Sequence, residues 1–220
     1  MTYQMRKELH MRQGLLDLIK WTGLPRSASM VEVGCYRGES TEIWAQHFDT
    51  ISAVDPWIFP DAVGVTVFDI IKAMSSGTLG AKMKNDVAES LAVFGKVLPS
   101  EERRTDIDWE HIATINEDVE ASFDQRMAPY NITKLKMTSL EASRRFDDKS
   151  LDMIYIDANH DYDSAHEDIR IWKPKVRPGG VLSGHNYHEQ WPDVIKAVQD
   201  IVGTPDMTFQ DTSWSVRIDT

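Results

Sequence analysis

Val31-Glu32-Val33-Gly34-Cys35-Tyr36-Arg37-Gly38-Glu39-Ser40 is the stretch on which the fold of this chain turns. A short apolar run, Ser29 to Val33, enters two glycines that let a chain turn sharply off a strand. A helical pattern from Glu39 to Phe48 follows, and a second apolar run, Thr50 to Val54, ends in Asp55-Pro56. Strand, glycine loop, helix, strand is a βαβ unit, and βαβ units imply a parallel sheet covered by helices. The alternation resumes later. Ile132 to Met137 and Leu151 to Ile156 read as further strands, the second apolar nearly throughout, as a strand buried on both faces should be. Gly179-Gly180 leads into a strand at Val181-Leu182-Ser183, and the segments Met207 to Gln210 and Trp214 to Ile218 read as a hairpin. The expected fold is a doubly wound α/β sheet, mostly parallel, with an antiparallel C-terminal edge hairpin.

Helices fill the remaining intervals. Met5 to Trp21 has helical spacing with Gly23 as C-cap, although Gly14 sits oddly inside it. A short helix is expected from Leu140 to Phe146, another from Asp163 to Trp172, and a third from Pro192 to Val202. Asn116 is the expected cap of a helix reaching Met127. The tryptophans Trp44, Trp172 and Trp214 read as core. Residues 58–113 interrupt the alternation with weak helical patterns, and a structureless loop of that length is improbable. They read as a helical insertion or lid within one domain spanning 1–220.

Composition narrows the function classes. The 220 residues carry 24 basic and 35 acidic side chains, a net charge of −11, which weighs against nucleic acid or an anionic membrane as the main partner. Nine carboxylates against three arginines lie between Glu101 and Arg126 and read as a solvated face. No apolar run is long enough for a transmembrane helix, and residues 1–20 lack a secretion-signal pattern. Cys35 is the only cysteine, which excludes an intrachain disulfide and a cysteine zinc cluster. The expected setting is the cytoplasm.

The glycine loop and its surroundings suggest a ligand. Asp55 lies 21 residues past Gly34, at the end of the next strand, where an acid can accept both hydroxyls of an adenosine ribose. A dinucleotide fingerprint would require Gly-x-Gly-x-x-Gly, whereas Tyr36 and Arg37 stand between the two glycines here. Glu32 would repel phosphates and suits a cation such as an ammonium. S-adenosylmethionine carries ammonium, carboxylate, sulfonium and adenosine without phosphate, and these residues favour it.

These motifs, with Ile156-Asp157-Ala158-Asn159-His160-Asp161-Tyr162, the run Asp168 to Gly180 and Gly184-His185-Asn186-Tyr187, are similar to class I S-adenosylmethionine-dependent methyltransferases. The chain most resembles the branch of macrocin-type and other sugar or natural-product O-methyltransferases. The resemblance covers roughly Ser29 to Asp55 and Ile132 to Tyr187, and implies a Rossmann-like sheet. It implies that Glu32, Gly34, Cys35, Tyr36 and Gly38 line the methionine end, with Ser40 near the carboxylate. Asp55 and Pro56 would flank the ribose, Trp57 would lie beside the adenine, and Ser139-Leu140 would meet the adenine amino group. Ser139 reads equally well as a helix N-cap.

In the resembled branch Asp157 would bind the cofactor side or Mg²⁺, and His160 would act as general base, a role for which histidine is suited. The family turn reads Gly-His-Asp-Tyr, and Asn186 replaces its aspartate, so the implied metal set of Asp157, His185 and Asn186 lacks one charge. The expected acceptor is a small molecule or sugar hydroxyl, and a homodimer is compatible with the sequence. Two other readings stand beside this one. A nicotinamide oxidoreductase would want a third glycine and a Tyr-x-x-x-Lys pair, and position 166, four past Tyr162, is histidine. A catalytically degenerate methyltransferase-like binding domain rests on the Asn186 substitution.

Overall fold

The computed structural model describes residues 3–57 and 109–219. Among these described residues, seven strands form one sheet: β1 (Ser29–Val33), β2 (Thr50–Val54), β3 (Ile132–Leu135), β4 (Leu151–Ile156), β5 (Val176–Gly184), β6 (Met207–Thr208) and β7 (Trp214–Arg217). Their spatial order is β3-β2-β1-β4-β5-β7-β6. The first five pair in parallel, and β7 pairs antiparallel with β5 and β6. The doubly wound sheet with an antiparallel C-terminal edge is thus as expected. The order reverses at β1 and β4, which leave the middle of the sheet in opposite senses. A crevice opens beyond their C-terminal ends, where ligands bind in open α/β sheets.

Among the described residues, seven helices flank the strands: α1 (Tyr3–Thr22), α2 (Glu39–Ala45), α3 (Trp109–Met127), α4 (Ser139–Ser143), α5 (Tyr162–Trp172), α6 (Pro192–Val202) and the 3₁₀ turn Lys173–Lys175. Strand alternation sends side chains to two cores. Met153 and Tyr155 of β4 join Leu15, Leu18 and Trp44 on one face. Ile154 and Ile156 join Ile169, Trp172, Ala197 and Trp214 on the other. The three tryptophans assigned to the core are all buried. A third cluster, Cys35, Ala53, Trp57, Val119, Phe123 and Met127, packs α3 over the glycine loop.

Some boundaries differ from the sequence reading. Asn116 lies inside α3 rather than capping it, because the helix already runs at Trp109. α2 stops at Ala45 and α4 at Ser143, both in αR-type caps. β5 begins at Val176, before the Gly179-Gly180 pair, since Val176 already pairs with Leu151. The insertion at 58–113 lies outside the described residues apart from 109–113, which are helical. Among the described residues, no helix is long and apolar enough to cross a membrane.

Gly14 now has a reason. A Cβ built on it would lie 2.1 Å from Cγ of Asp211 in the β6–β7 turn, and that carboxylate is held by the Ser213 backbone N–H and hydroxyl at 3.2 and 2.9 Å. Glycine lets the turn press directly onto α1. In an open helix Gly→Ala would gain about 1 kcal/mol, but forced overlap in a packed site costs about 1–3 kcal/mol. Gly14→Ala is therefore expected to lower the urea-unfolding free energy. A stabilised variant would show that Asp211 is free to move aside.

Candidate active site

The glycine loop is built by backbone constraints. Gly34 has φ +85°, and a Cβ there would lie 2.1 Å from the Asp157 carbonyl oxygen at the end of β4. Only glycine allows the β1 turn to cross β4 this closely. Gly38 (φ +81°) starts α2, where a Cβ would come within 3.0 Å of the Phe123 ring. Between them Tyr36 is also left-handed, at φ 48°, and is among the exposed large side chains.

Asp55 holds this loop. Its Oδ2 accepts the backbone N–H groups of Cys35 and Tyr36, each at 2.9 Å, and Oδ1 accepts that of Trp57 at 2.6 Å. Trp57, itself at φ 53°, donates its indole N–H to the Tyr36 carbonyl at 2.9 Å. One carboxylate thus stitches the loop after β1 to the turn after β2, with Pro56 between Asp55 and Trp57. Among the described residues Oδ1 receives a single hydrogen bond, leaving it acceptor capacity. Burial pushes the Asp55 carboxyl up to about 6, against the three backbone N–H groups that favour its charge.

Several side chains expected to meet a ligand face inward instead. Glu32 is fully buried, accepting from Thr41 and from the Trp44 indole at 3.0 Å, and the Ser40 hydroxyl is bonded to it too. Its carboxylate ties β1 to α2 beneath the loop. Burial drives it up to about 7. Trp57 is buried against Phe123 at 4.8 Å, with Lys134 over its ring at 4.6 Å. Cys35 is buried, and burial raises its thiol well above the usual range. Ser139 is not the cap of α4: Thr138 is, in a capping box with Glu141. The Ser139 hydroxyl instead bonds the buried Asp168 and accepts from the Trp172 indole at 2.8 Å.

A polar cluster gathers at the ends of β4 and β5. Asp157 Oδ1 lies 3.4 Å from His185 Nδ1 and 3.6 Å from His160 Nε2. Burial alone would raise the Asp157 carboxyl, but positive charge on His185 and the imidazole of His160 beside it hold it well below the usual carboxylate range. His185 Nε2 bonds the Asp211 carbonyl at 2.6 Å. Burial opposes its charge, yet Asp157 and Asp211 outweigh that and lift it to about 9.

Asn186, at φ 60°, completes the cluster. Trp191 Nε1–H can only donate, so the Asn186 amide is assigned with its oxygen toward that indole at 2.9 Å. Its nitrogen then faces His160 Nε2 at 3.0 Å, Asp157 Oδ1 at 3.2 Å and His185 Nδ1 at 2.8 Å. This orientation belongs to the neutral His185, whose one proton then sits on Nε2, toward Asp211. Protonating Nδ1 toward Asp157 requires the amide to turn over, so the His185 charge and the Asn186 orientation are coupled. The Trp191 ring stacks on His160 at 4.5 Å with 40% of its own surface exposed. Trp191 and Asp211 escaped the sequence reading. Trp191 looks like a residue before a helix-starting proline, and Asp211 contributes a main-chain carbonyl, which no residue type announces.

The set expected to hold Mg²⁺, Asp157, His185 and Asn186, does converge, but its donors do not fit that ion. Mg²⁺ takes near-octahedral oxygen ligands, whereas the one carboxylate is already faced by two imidazole nitrogens. Among the described residues, no group of three or more His, Cys, Asp or Glu side chains is placed to hold a metal ion.

Residues 31–187 match the model of a family described as "Methyltransferase domain". Among solved structures, the chain is similar to the N-methyltransferase NodS from Bradyrhizobium japonicum, with 14% identity, 98% of each chain covered and a TM-score of 0.52. It is also similar to a protein from Corynebacterium glutamicum, with 12% identity, 99% of this chain and 82% of that one covered, and a TM-score of 0.52. At these identities the likeness is one of fold. No curated protein matches the sequence.

Glu32 and Asp55 make stability depend on pH. Each binds its proton more tightly folded than unfolded, so stability falls as pH rises from the unfolded to the folded value, roughly 4.5 to 7 for Glu32 and 3.8 to 6 for Asp55. Unfolding free energy measured between pH 5 and 7.5 should therefore decline. Glu32→Gln should remove about 1–3 kcal/mol of that decline, and an unchanged slope would show that Glu32 is ionised at no cost.

Proposed function

The chain belongs to the family of class I S-adenosylmethionine-dependent methyltransferase domains, and from that premise we propose that it methylates a hydroxyl of a small molecule or sugar, with His160 as the general base. One observation carries this reading: Gly34 abuts the Asp157 carbonyl, which brings the glycine loop beside the Asp157, His160, His185 and Asn186 cluster. Donor and proton acceptor would then share one crevice.

On this reading the backbone from Gly34 to Gly38 shapes the methionine end, the open side of Asp55 Oδ1 takes a ribose hydroxyl, and the turn at Ser139-Leu140 flanks the adenine. S-adenosylmethionine, when bound, supplies a methyl group on a sulfonium that leaves as a neutral thioether, so covalent help from the protein is unnecessary. The protein's task is alignment and proton removal. The acceptor hydroxyl displaces the Asn186 N–H from His160 Nε2 and gives up its proton there. The new N–H⁺ faces Asp157 Oδ1, at 3.6 Å, whose carboxylate stabilises it. The displaced Asn186 N–H retains Asp157 as acceptor at 3.2 Å.

The test uses labelled methyl transfer from S-adenosylmethionine to a panel of sugar, phenolic and amine acceptors. Hydroxyl acceptors should be turned over, and His160→Ala should cut their turnover by ~10²-fold or more while S-adenosylhomocysteine affinity stays unchanged. Turnover of amines alone, or full activity in His160→Ala, would contradict the proposal.

A further inference from the structure

Asp168 stands apart from both the glycine loop and the Asp157 cluster. It lies on the buried side of α5, between Ala165 and Trp172, among apolar side chains of one sheet face. Burying a carboxylate costs free energy unless it is hydrogen-bonded. Its one hydrogen-bonded side-chain partner among the described residues is the hydroxyl of Ser139, the first residue of α4. That hydroxyl is used twice, donating to Asp168 and accepting from the Trp172 indole N–H at 2.8 Å. Trp172 is fully buried and packs on Phe146 with ring centroids 5.7 Å apart.

Two residues one helical turn apart on α5 therefore grip a single hydroxyl at the start of α4. The other side of this turn is fixed separately, by the Thr138–Glu141 capping box. α4 has only five residues, too short to hold its own geometry. The turn leaves the C-terminal end of β3, at the same edge of the sheet as Asp55 and the glycine loop. A serine that only capped the helix would need neither a buried acid nor a tryptophan N–H.

We propose that Asp168 is a positioning residue for the adenosine end of the cofactor: through Ser139, and with Trp172, it holds the Thr138–Leu140 turn in the shape that receives the adenine. The inference rests on the placement of the adenine at that turn. Asp168 touches no ligand itself. Its effect reaches the cofactor only through the turn.

Calorimetric titration with S-adenosylhomocysteine and with 5′-methylthioadenosine, which keeps the adenosine but lacks the amino-acid end, tests this. Losing one buried hydrogen bond that shapes a site is worth about tenfold in affinity. Asp168→Ala and Ser139→Ala should each weaken both ligands by about that factor, with circular dichroism confirming the fold. Asp168→Asn, which can still accept from Ser139, should restore most of the affinity. Leu140→Glu, which alters the turn without touching Asp168, tests the placement itself. If Leu140→Glu binds both ligands like the wild type, the adenine is not at this turn and the inference falls with its premise. If Leu140→Glu loses affinity while folded Asp168→Ala and Ser139→Ala retain it, the placement stands and the positioning role of Asp168 is overturned.

Discussion

The contact on which the rest of the structure depends is the approach of Gly34 to the carbonyl of Asp157. β1 and β4 are neighbours in the sheet, with Val33 paired to Ile156, and their chains diverge immediately beyond. At that point the loop after β1 lies against the backbone of β4, with no room for a Cβ between them. The contact sets where the glycine loop lies. It also sets where Asp157 emerges, and through Asp157 the positions of the two imidazoles. The glycine loop and the Asp157 cluster, built on different strands, are thus joined by one backbone contact.

Around that junction, buried acids act as scaffold. Glu32 ties β1 to α2 through Thr41 and Trp44, Asp55 ties the loop after β1 to the turn after β2, and Asp168 ties α5 to α4. Their burial makes the charged forms costly, and hydrogen-bond donors offset only part of that cost. The left-handed Tyr36, Trp57 and Asn186 surround the same region, as strained backbone tends to do at functional sites.

The fold was legible because its signals are local. Ser29 to Val33, Thr50 to Val54 and Leu151 to Ile156 are strands with the expected limits, and the helix from Pro192 to Val202 is bounded by its own proline and glycine. The site was legible in outline. The sequence brought Asp157, His160, His185 and Asn186 to adjacent strand ends, and the structure places them within contact. What it hid was direction. An acid two residues before a glycine loop reads as facing a ligand, and only the packing of Thr41 and Trp44 shows that Glu32 faces the core. Likewise Ser139 is satisfied by a partner 29 residues away, and Trp191 by an amide whose orientation no spacing reveals.

The most direct test of this account is calorimetric titration of S-adenosylhomocysteine into the wild type and a folded Gly34→Ala variant. The account predicts that the added methyl group, forced against the Asp157 carbonyl, displaces the glycine loop and weakens binding by about tenfold or more, since overpacking of this kind costs on the order of 1–3 kcal/mol. Wild-type affinity in the folded variant would contradict it, because the approach of Gly34 to Asp157 would then not be what shapes the cofactor site.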